Sequence, residues 1–209
     1  MNIATTHSTS ATGTGLAPNF YEGPAEIAGD VHLHQRFFTY RVNAGLVAGK
    51  TFSVMFTIDR PAKDVWPHIK DLNPWQNAYG HYYSGVAGDL EGKSFNMSDK
   101  PNGEGVKLYD VMTFLYNVVR VIPEHVMVFM QSIPEAAAIA GVSPDCHVFS
   151  LHEHGGKTIV TVLMEHAALS KYDTEQEALR TWRDMAAESQ RKWRDVFIPA
   201  LRKLIHSTP

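Results

Sequence analysis

The stretch Thr51–Trp75, TFSVMFTIDRPAKDVWPHIKDLNPW, changes its hydrophobic period halfway along. In its first nine residues Phe52, Val54, Phe56 and Ile58 alternate with Thr51, Ser53, Met55, Thr57 and Asp59, the period of a half-buried strand. Pro61 then offers a pre-set φ at a first helical position, where its missing N–H costs nothing. Beyond it Ala62, Val65, Trp66 and Ile69 share one helical face, and Lys63, Asp64 and Lys70 share the other. Asp71 can cap a second short helix through Leu72, Trp75 and Tyr79, which Gly80 ends. A strand that feeds directly into two short helices is a junction, and the aromatic run Trp75, Tyr79, His81, Tyr82 and Tyr83 is placed at its lip.

Downstream, turn signals divide the chain into a series of strands. The first covers about 82–97 and is interrupted by the turn GDLEG; PNGEG at 101–105 is a hairpin connection. A long run follows from Val106 to Val121, ended by Pro123, and another from His125 to Ile133. PEAAAIAGVSP at 134–144 reads as a loop or a single helical turn. Cys146–Glu153 and Lys157–Ala167 are two strands joined by a tight HGG hairpin. Thr174 to His206 is the longest helical pattern, with Thr174 and Glu177 spaced as a capping box. Leu179, Trp182, Met185, Ala186, Ser189, Trp193, Val196, Phe197, Ala200, Leu201 and Leu204 recur at threes and fours. Pro199 should bend this helix.

Upstream, residues 1–18 are rich in Thr, Ser, Gly and Ala and read as a disordered tail. Residues 19–49 form an N-terminal arm. HLHQRFFTYRV suits a strand or packed arm, and GLVAGK suits a turn into the next element. The fold class is therefore α+β: a curved antiparallel sheet wrapped around a long C-terminal helix, two short helices closing a cavity, with residues 50–206 as the domain.

Composition narrows the function. With 209 residues and a net charge of −3 the chain suits one sizeable core. No Lys/Arg-rich run forms a footprint for nucleic acid, and no apolar run reaches the roughly 20 residues of a membrane span. The N-terminus lacks the basic start and apolar core of a secretory signal, so the expected location is cytoplasmic. The single cysteine, Cys146, allows no internal disulfide and no multi-Cys zinc site, and reads as a reduced, buried small hydrophobe. His32-Leu33-His34 and His152-Glu153-His154 are His-x-His pairs, but no third ligand is clearly placed to join either, so no metal is expected. No nucleophile elbow, phosphate loop or dinucleotide fingerprint is present, and no cofactor is expected.

The run Phe52 to Trp66, F-x-V-x-F-T-I-D-R-P-A-K-D-V-W, resembles the opening of the START-related, or SRPBCC, superfamily, and the closing helix with Trp193 and Phe197-Ile198-Pro199-Ala200-Leu201 is similar to the family's. The resemblance covers about residues 50–206. It implies a helix-grip fold around an apolar cavity, in proteins that range from passive carriers to polyketide cyclases and dehydratases. The arm before residue 50 departs from the minimal pattern and leaves room for a homodimer contact.

Strand parity then nominates cavity residues. Val160, Val162, Met164 and His166 form the more apolar face of the last strand; His147, Phe149 and Leu151 point the same way from the one before. In the long strand Leu108, Asp110, Met112, Phe114 and Tyr116 are assigned inward. A register slip of one residue would reverse any of these sets. On this reading His166, Asp110, Tyr116 and His147 are sparse polar groups in an apolar pocket, with histidine to move a proton, aspartate to orient it and tyrosine to polarise a carbonyl. Such a set suits aldol cyclisation or dehydration without metal. Trp75, Tyr79, His81, Tyr83, Met112, Phe114, Phe149, Met164, Trp182 and Met185 are the candidate ligand-lining residues. The expected function is binding of a hydrophobic small molecule, with acid–base catalysis by a cyclase or dehydratase as one reading. A non-catalytic carrier or sensor and an interaction module of the chaperone-activator type are the alternatives.

Overall fold

The third strand sets the frame, its burial alternating from Lys50 to Ile58 and continuous from Leu46 to Lys50. Leu46, Ala48, Lys50, Phe52, Val54, Phe56 and Ile58 are buried on one side of it, and the strand runs Gly45–Ile58 rather than starting at Thr51. The computed structural model describes residues 18–42, 45–76, 82–84, 91–98, 113–132, 145–170 and 173–208. Among them the strands are β1 (Asn19–Ala28), β2 (Val31–Val42), β3 (Gly45–Ile58), β4 (Tyr82–Ser84), β5 (Ser94–Ser98), β6 (Thr113–Ile122), β7 (Val126–Ser132), β8 (Cys146–His154) and β9 (Lys157–Ser170). They form one antiparallel sheet in the order β1-β2-β3-β9-β8-β7-β6-β5-β4. The helices are α1 (Ala62–Lys70), α2 (Asn73–Gln76), α3 (Glu175–Lys192) and α4 (Ile198–Ser207), with one π-helical turn, Trp193–Phe197, between the last two.

The N-terminal arm is part of the sheet. β2 pairs with β3 from His32↔Met55 to Val42↔Gly45, and β1 continues the sheet beyond it. Leu33, Gln35, Phe37 and Thr39 of β2 are buried, and Phe37 joins Leu46, Ala48, Ala178, Leu179, Trp182 and Ala186 in one apolar cluster beneath α3. The larger core draws on β2, β3, β5 to β9, both short helices, the π turn and α4. A single apolar cluster touched by so many strands requires a sheet that curls round the helix.

Polar ties fasten α3 and α4 to the arm. Glu175 accepts hydrogen bonds from Tyr21 Oη (2.6 Å), Thr39 Oγ1 and Asn19. Burial raises the Glu175 carboxyl, but these donors outweigh it and hold it below its ordinary value. Arg194 meets Glu26 at 2.8 Å, and Arg202 donates to Asp30 and to the Thr57 carbonyl. Thr174 caps α3, its hydroxyl accepting from the Glu177 N–H at 3.3 Å.

Several local expectations shift by a residue or a turn. Pro61 is the N-cap of α1, not its first residue; its carbonyl accepts from Asp64 and Val65. Asp71 closes α1, donating its N–H to Pro67, and does not cap α2. Pro199 produces a widened turn, in which the Ile198 N–H reaches back five residues to Trp193. The wider turn accommodates a ring that cannot donate and would otherwise crowd the preceding carbonyls. Gly155 and Gly156, with φ of 59° and 74°, make the type I′ hairpin that the HGG sequence calls for. Cys146 is half-buried rather than buried, and burial raises its thiol pKa, which keeps it the inert thiol.

Candidate functional site

The inner face of β8 and β9 carries histidines where alternation puts them. Val160, Val162 and Met164 are buried and His166 continues their row; in β8, Phe149 and Leu151 are buried below His147. The register sets His147 opposite Met164 and Phe149 opposite Val162. In β6, Tyr116 and Val118 are buried on the same side. A bulge between Val118 and Arg120 flips the parity beyond it, so that Val121 also packs against the core.

These positions bring Tyr116, His147 and His166 together. The Tyr116 and His147 rings meet edge-on at 5.6 Å between centroids, as do His147 and His166, and Phe129 stacks on His147 at 4.7 Å. Phe95 stacks on Tyr116 at 5.4 Å. Aromatic neighbours fix the imidazole planes and exclude water from one side of the group.

Asp145 completes the set. Its Oδ1 lies 2.8 Å from His166 Nδ1, and the two side chains are 19 % and 25 % exposed. With Nδ1–H donated to the carboxylate, a neutral His166 presents Nε2 as an acceptor; protonated, it forms an ion pair. Asp145 shares parity with His147 and Phe149, so the alternation of β8 extended back by one residue would have found it. Assigning 134–144 to a loop drew attention away from that boundary.

Lys50 was hidden in the same way. It is 2 % exposed, the one buried charged side chain among the described residues. Its Nζ donates to Ser189 Oγ at 2.6 Å, with a longer contact of 3.5 Å to the Met185 carbonyl. The ladder sets it directly across from His166. Burial, only partly offset by the Asp145 carboxylate and reinforced by Lys192, lowers its pKa to about 8. Reading GLVAGK as a turn removed Lys50 from the strand; as the residue two before Phe52 it belongs to the inward row.

The remaining candidates divide. Phe149 and Met164 line the buried inner face beside the histidines. Trp75 lies in the core, not at a lip: it is wholly buried, packed edge-on against Phe149 and Phe197 and tilted against Trp193, its indole N–H donated to the His68 carbonyl at 3.0 Å. Trp182 is buried in the separate cluster with Phe37 and Leu46, about 16 Å along the helix axis from Trp193 at 1.5 Å per residue. The Met185 side chain is 49 % exposed and does not line the interior. The buried stripe of α3 passes through Leu179, Trp182, Ala186 and Gln190, and one residue of helical rotation puts Met185 outside it. Tyr83 and Phe114 occupy β4 and β6. Tyr79, His81, Asp110 and Met112 lie outside the described residues.

Neither His-x-His pair points into the fold. His32, His152 and His154 are exposed, and His34 pairs with Glu22 at 3.2 Å on the outside. The residues that could hold a metal are instead Asp145, His147 and His166, whose ligand atoms all lie within 4.8 Å of one another. Two imidazoles and a carboxylate suit a divalent ion. The neighbouring Lys50 charge opposes a cation there, and Asp145 already engages His166.

No protein-family model matches the chain, and no curated protein matches it. Solved structures do. A structural-genomics protein from Rhodobacter sphaeroides is 12 % identical with a TM-score of 0.53, the match covering 83 % of this chain and 99 % of that one. A START superfamily protein from Mycobacterium smegmatis is 11 % identical with a TM-score of 0.52, over 76 % of this chain and 99 % of the other. At such identities the likeness is one of architecture alone, and that architecture is a helix-grip fold, a curved antiparallel sheet closed over a long C-terminal helix.

Proposed function

We propose that the chain binds an apolar small molecule bearing a carbonyl group against the inner face of β6, β8 and β9, and acts on it by proton transfer. The observation that carries this reading is the His166–Asp145 pair, held at 2.8 Å among aromatic rings and next to Tyr116 and His147. A carboxylate that fixes the imidazole tautomer leaves Nε2 to take a proton next to a carbonyl, and the His147 ring or the Tyr116 hydroxyl can polarise that carbonyl's oxygen. Aldol cyclisation and dehydration are the reactions this set suits best, and neither requires a redox group. The mostly buried pair at the end of the apolar row gives a guest a polar end to meet and an apolar wall to lie along.

Two measurements test this. Native mass spectrometry of protein purified from its own host, followed by extraction, should yield a co-purified apolar compound with a ketone or aldehyde. Protein that arrives empty and fails to enhance the fluorescence of an apolar dye would refute the binding reading. With a carbonyl ligand in hand, His166→Ala should lower turnover at least a hundredfold while ligand affinity stays within about tenfold, as expected of a group acting in the transition state. Turnover equal to wild type would leave a carrier, not an enzyme.

A further inference from the structure

We propose that Lys50 captures the carbonyl group of the ligand as an imine, a role that rests on the carbonyl-binding reading above. The case begins with position. Lys50 lies on the inner face of β3, between Ala48 and Phe52, with its whole side chain beneath α3. Among the described residues no carboxylate comes within ion-pair distance of it. A charged ammonium in that place forfeits hydration and receives a serine hydroxyl, a carbonyl and the more distant pull of Asp145 in exchange.

The hydrogen bonds leave the reactive electron pair available. Ser189 Oγ donates its own proton to the Met185 carbonyl at 3.0 Å and therefore accepts from Lys50. The contacts to Ser189 and Met185 occupy two amine hydrogens. A neutral amine has two and no more, so its lone pair is left for an electrophile. Burial, against the pull of Asp145 and with the push of Lys192, gives it a pKa of about 8. At pH 7.5 about a quarter of such amines are neutral, against roughly one in a thousand for an exposed lysine near 10.4.

His166 supplies the proton traffic. It stands opposite Lys50 in the β3–β9 ladder, where directly paired side chains on one face are neighbours. The amine lone pair attacks the carbonyl carbon and the carbonyl π pair moves to oxygen; the nitrogen then passes one proton to that oxygen, giving a neutral carbinolamine. His166 imidazolium, held by Asp145, then protonates the departing hydroxyl as the nitrogen lone pair forms the C=N bond, and the neutral imidazole so left takes the remaining N–H proton. The overall change joins amine and carbonyl into an imine with loss of one water, and nothing is oxidised or reduced. A desolvated lysine with an acid–base pair at its side is the arrangement such chemistry needs.

The test uses the intact chain with decanal and sodium cyanoborohydride at pH 7.5, followed by intact mass measurement and peptide mapping. The expected product gains one decanal less one oxygen atom, located at Lys50 and formed at least tenfold faster than at the exposed Lys63, Lys157 or Lys203. Lys50→Met and Lys50→Arg should each abolish it, and His166→Asn should slow it at least tenfold. Mapping of the wild-type protein decides the matter even if a variant fails to fold. Label confined to exposed lysines, with decanal still quenching tryptophan fluorescence, overturns the imine and leaves the binding reading standing. Neither label nor quenching overturns both, and an unchanged rate in His166→Asn removes the proton-transfer part.

Discussion

Lys50 is held where a hydrocarbon would be more comfortable, and its stability should show it. The folded chain lowers its pKa from 10.5 to about 8. Between those values the unfolded chain still holds a proton that the folded chain has shed, so stability rises with pH across that window and the desolvation cost is felt in full below about 8. Lys50→Met loses the bond to Ser189 but removes the buried charge. It should stabilise the protein at pH 7 by about 1–2 kcal/mol, with urea midpoints converging on wild type as pH approaches 10. Parallel pH profiles for the two proteins would mean that Lys50 titrates as an ordinary exposed lysine. Asp145→Asn removes the one carboxylate that favours the ammonium. It should lower the Lys50 pKa further, measured from the pH dependence of acetylation at that residue. Both residues were open to sequence reading through parity alone, since Lys50 falls in step with Phe52 and Asp145 with His147. They were lost because glycine next to Lys50 and proline next to Asp145 read as turns, although Lys50 lies well inside β3 and Asp145 directly precedes β8.

Single elements were legible to different degrees. The alternation of β8 and β9 gave the inward faces correctly, because both strands have one buried side and no bulge. β6 shows what alternation misses: the extra residue near Val118 reverses the pattern, and no residue type in VVRV announces it. The α3 start was readable from Thr174 and Glu177 because capping is a local matter; Thr174→Ala should cost about 1 kcal/mol in thermal or urea unfolding. Gly49 marks the opposite case, a residue whose smallness is set by its neighbours. A Cβ there would lie 2.4 Å from the His166 carbonyl oxygen and 2.5 Å from the Phe38 ring. Gly49→Ala should destabilise the protein by roughly 2–3 kcal/mol, as overpacking does, and should disturb the Lys50–His166 rung as well. A calorimetric midpoint within 1 °C of wild type would show that β3 and β9 can part at no cost.

At the scale of the whole chain, the arm is the main departure from what the sequence suggested. β1 and β2 supply Leu33, Gln35, Phe37 and Thr39 to the interior and anchor Glu175, Arg194 and Arg202 of the closing helices. Deletion of residues 1–44 should therefore yield insoluble protein or lower the urea midpoint by more than half, since it uncovers the apolar side of α3. A truncated chain that unfolds at the wild-type midpoint would mark the arm as an appendage. The strand-to-helix junction fixed the fold class because its period change is local and strong. Where the arm packs was not legible: β2 pairs with β3 through backbone, which no side-chain pattern records, and its buried Gln35 and Thr39 look like surface residues in a string of letters.

The swollen turn at Trp193–Phe197 has one more effect. By taking up a surplus residue it resets the azimuth of everything after it, so Leu201 and Ile205 arrive facing α1 and α2 while Trp182 and Ala186 face the arm. The terminal helix is thus two keys cut at different angles on one shaft, each fitted to its own half of the sheet.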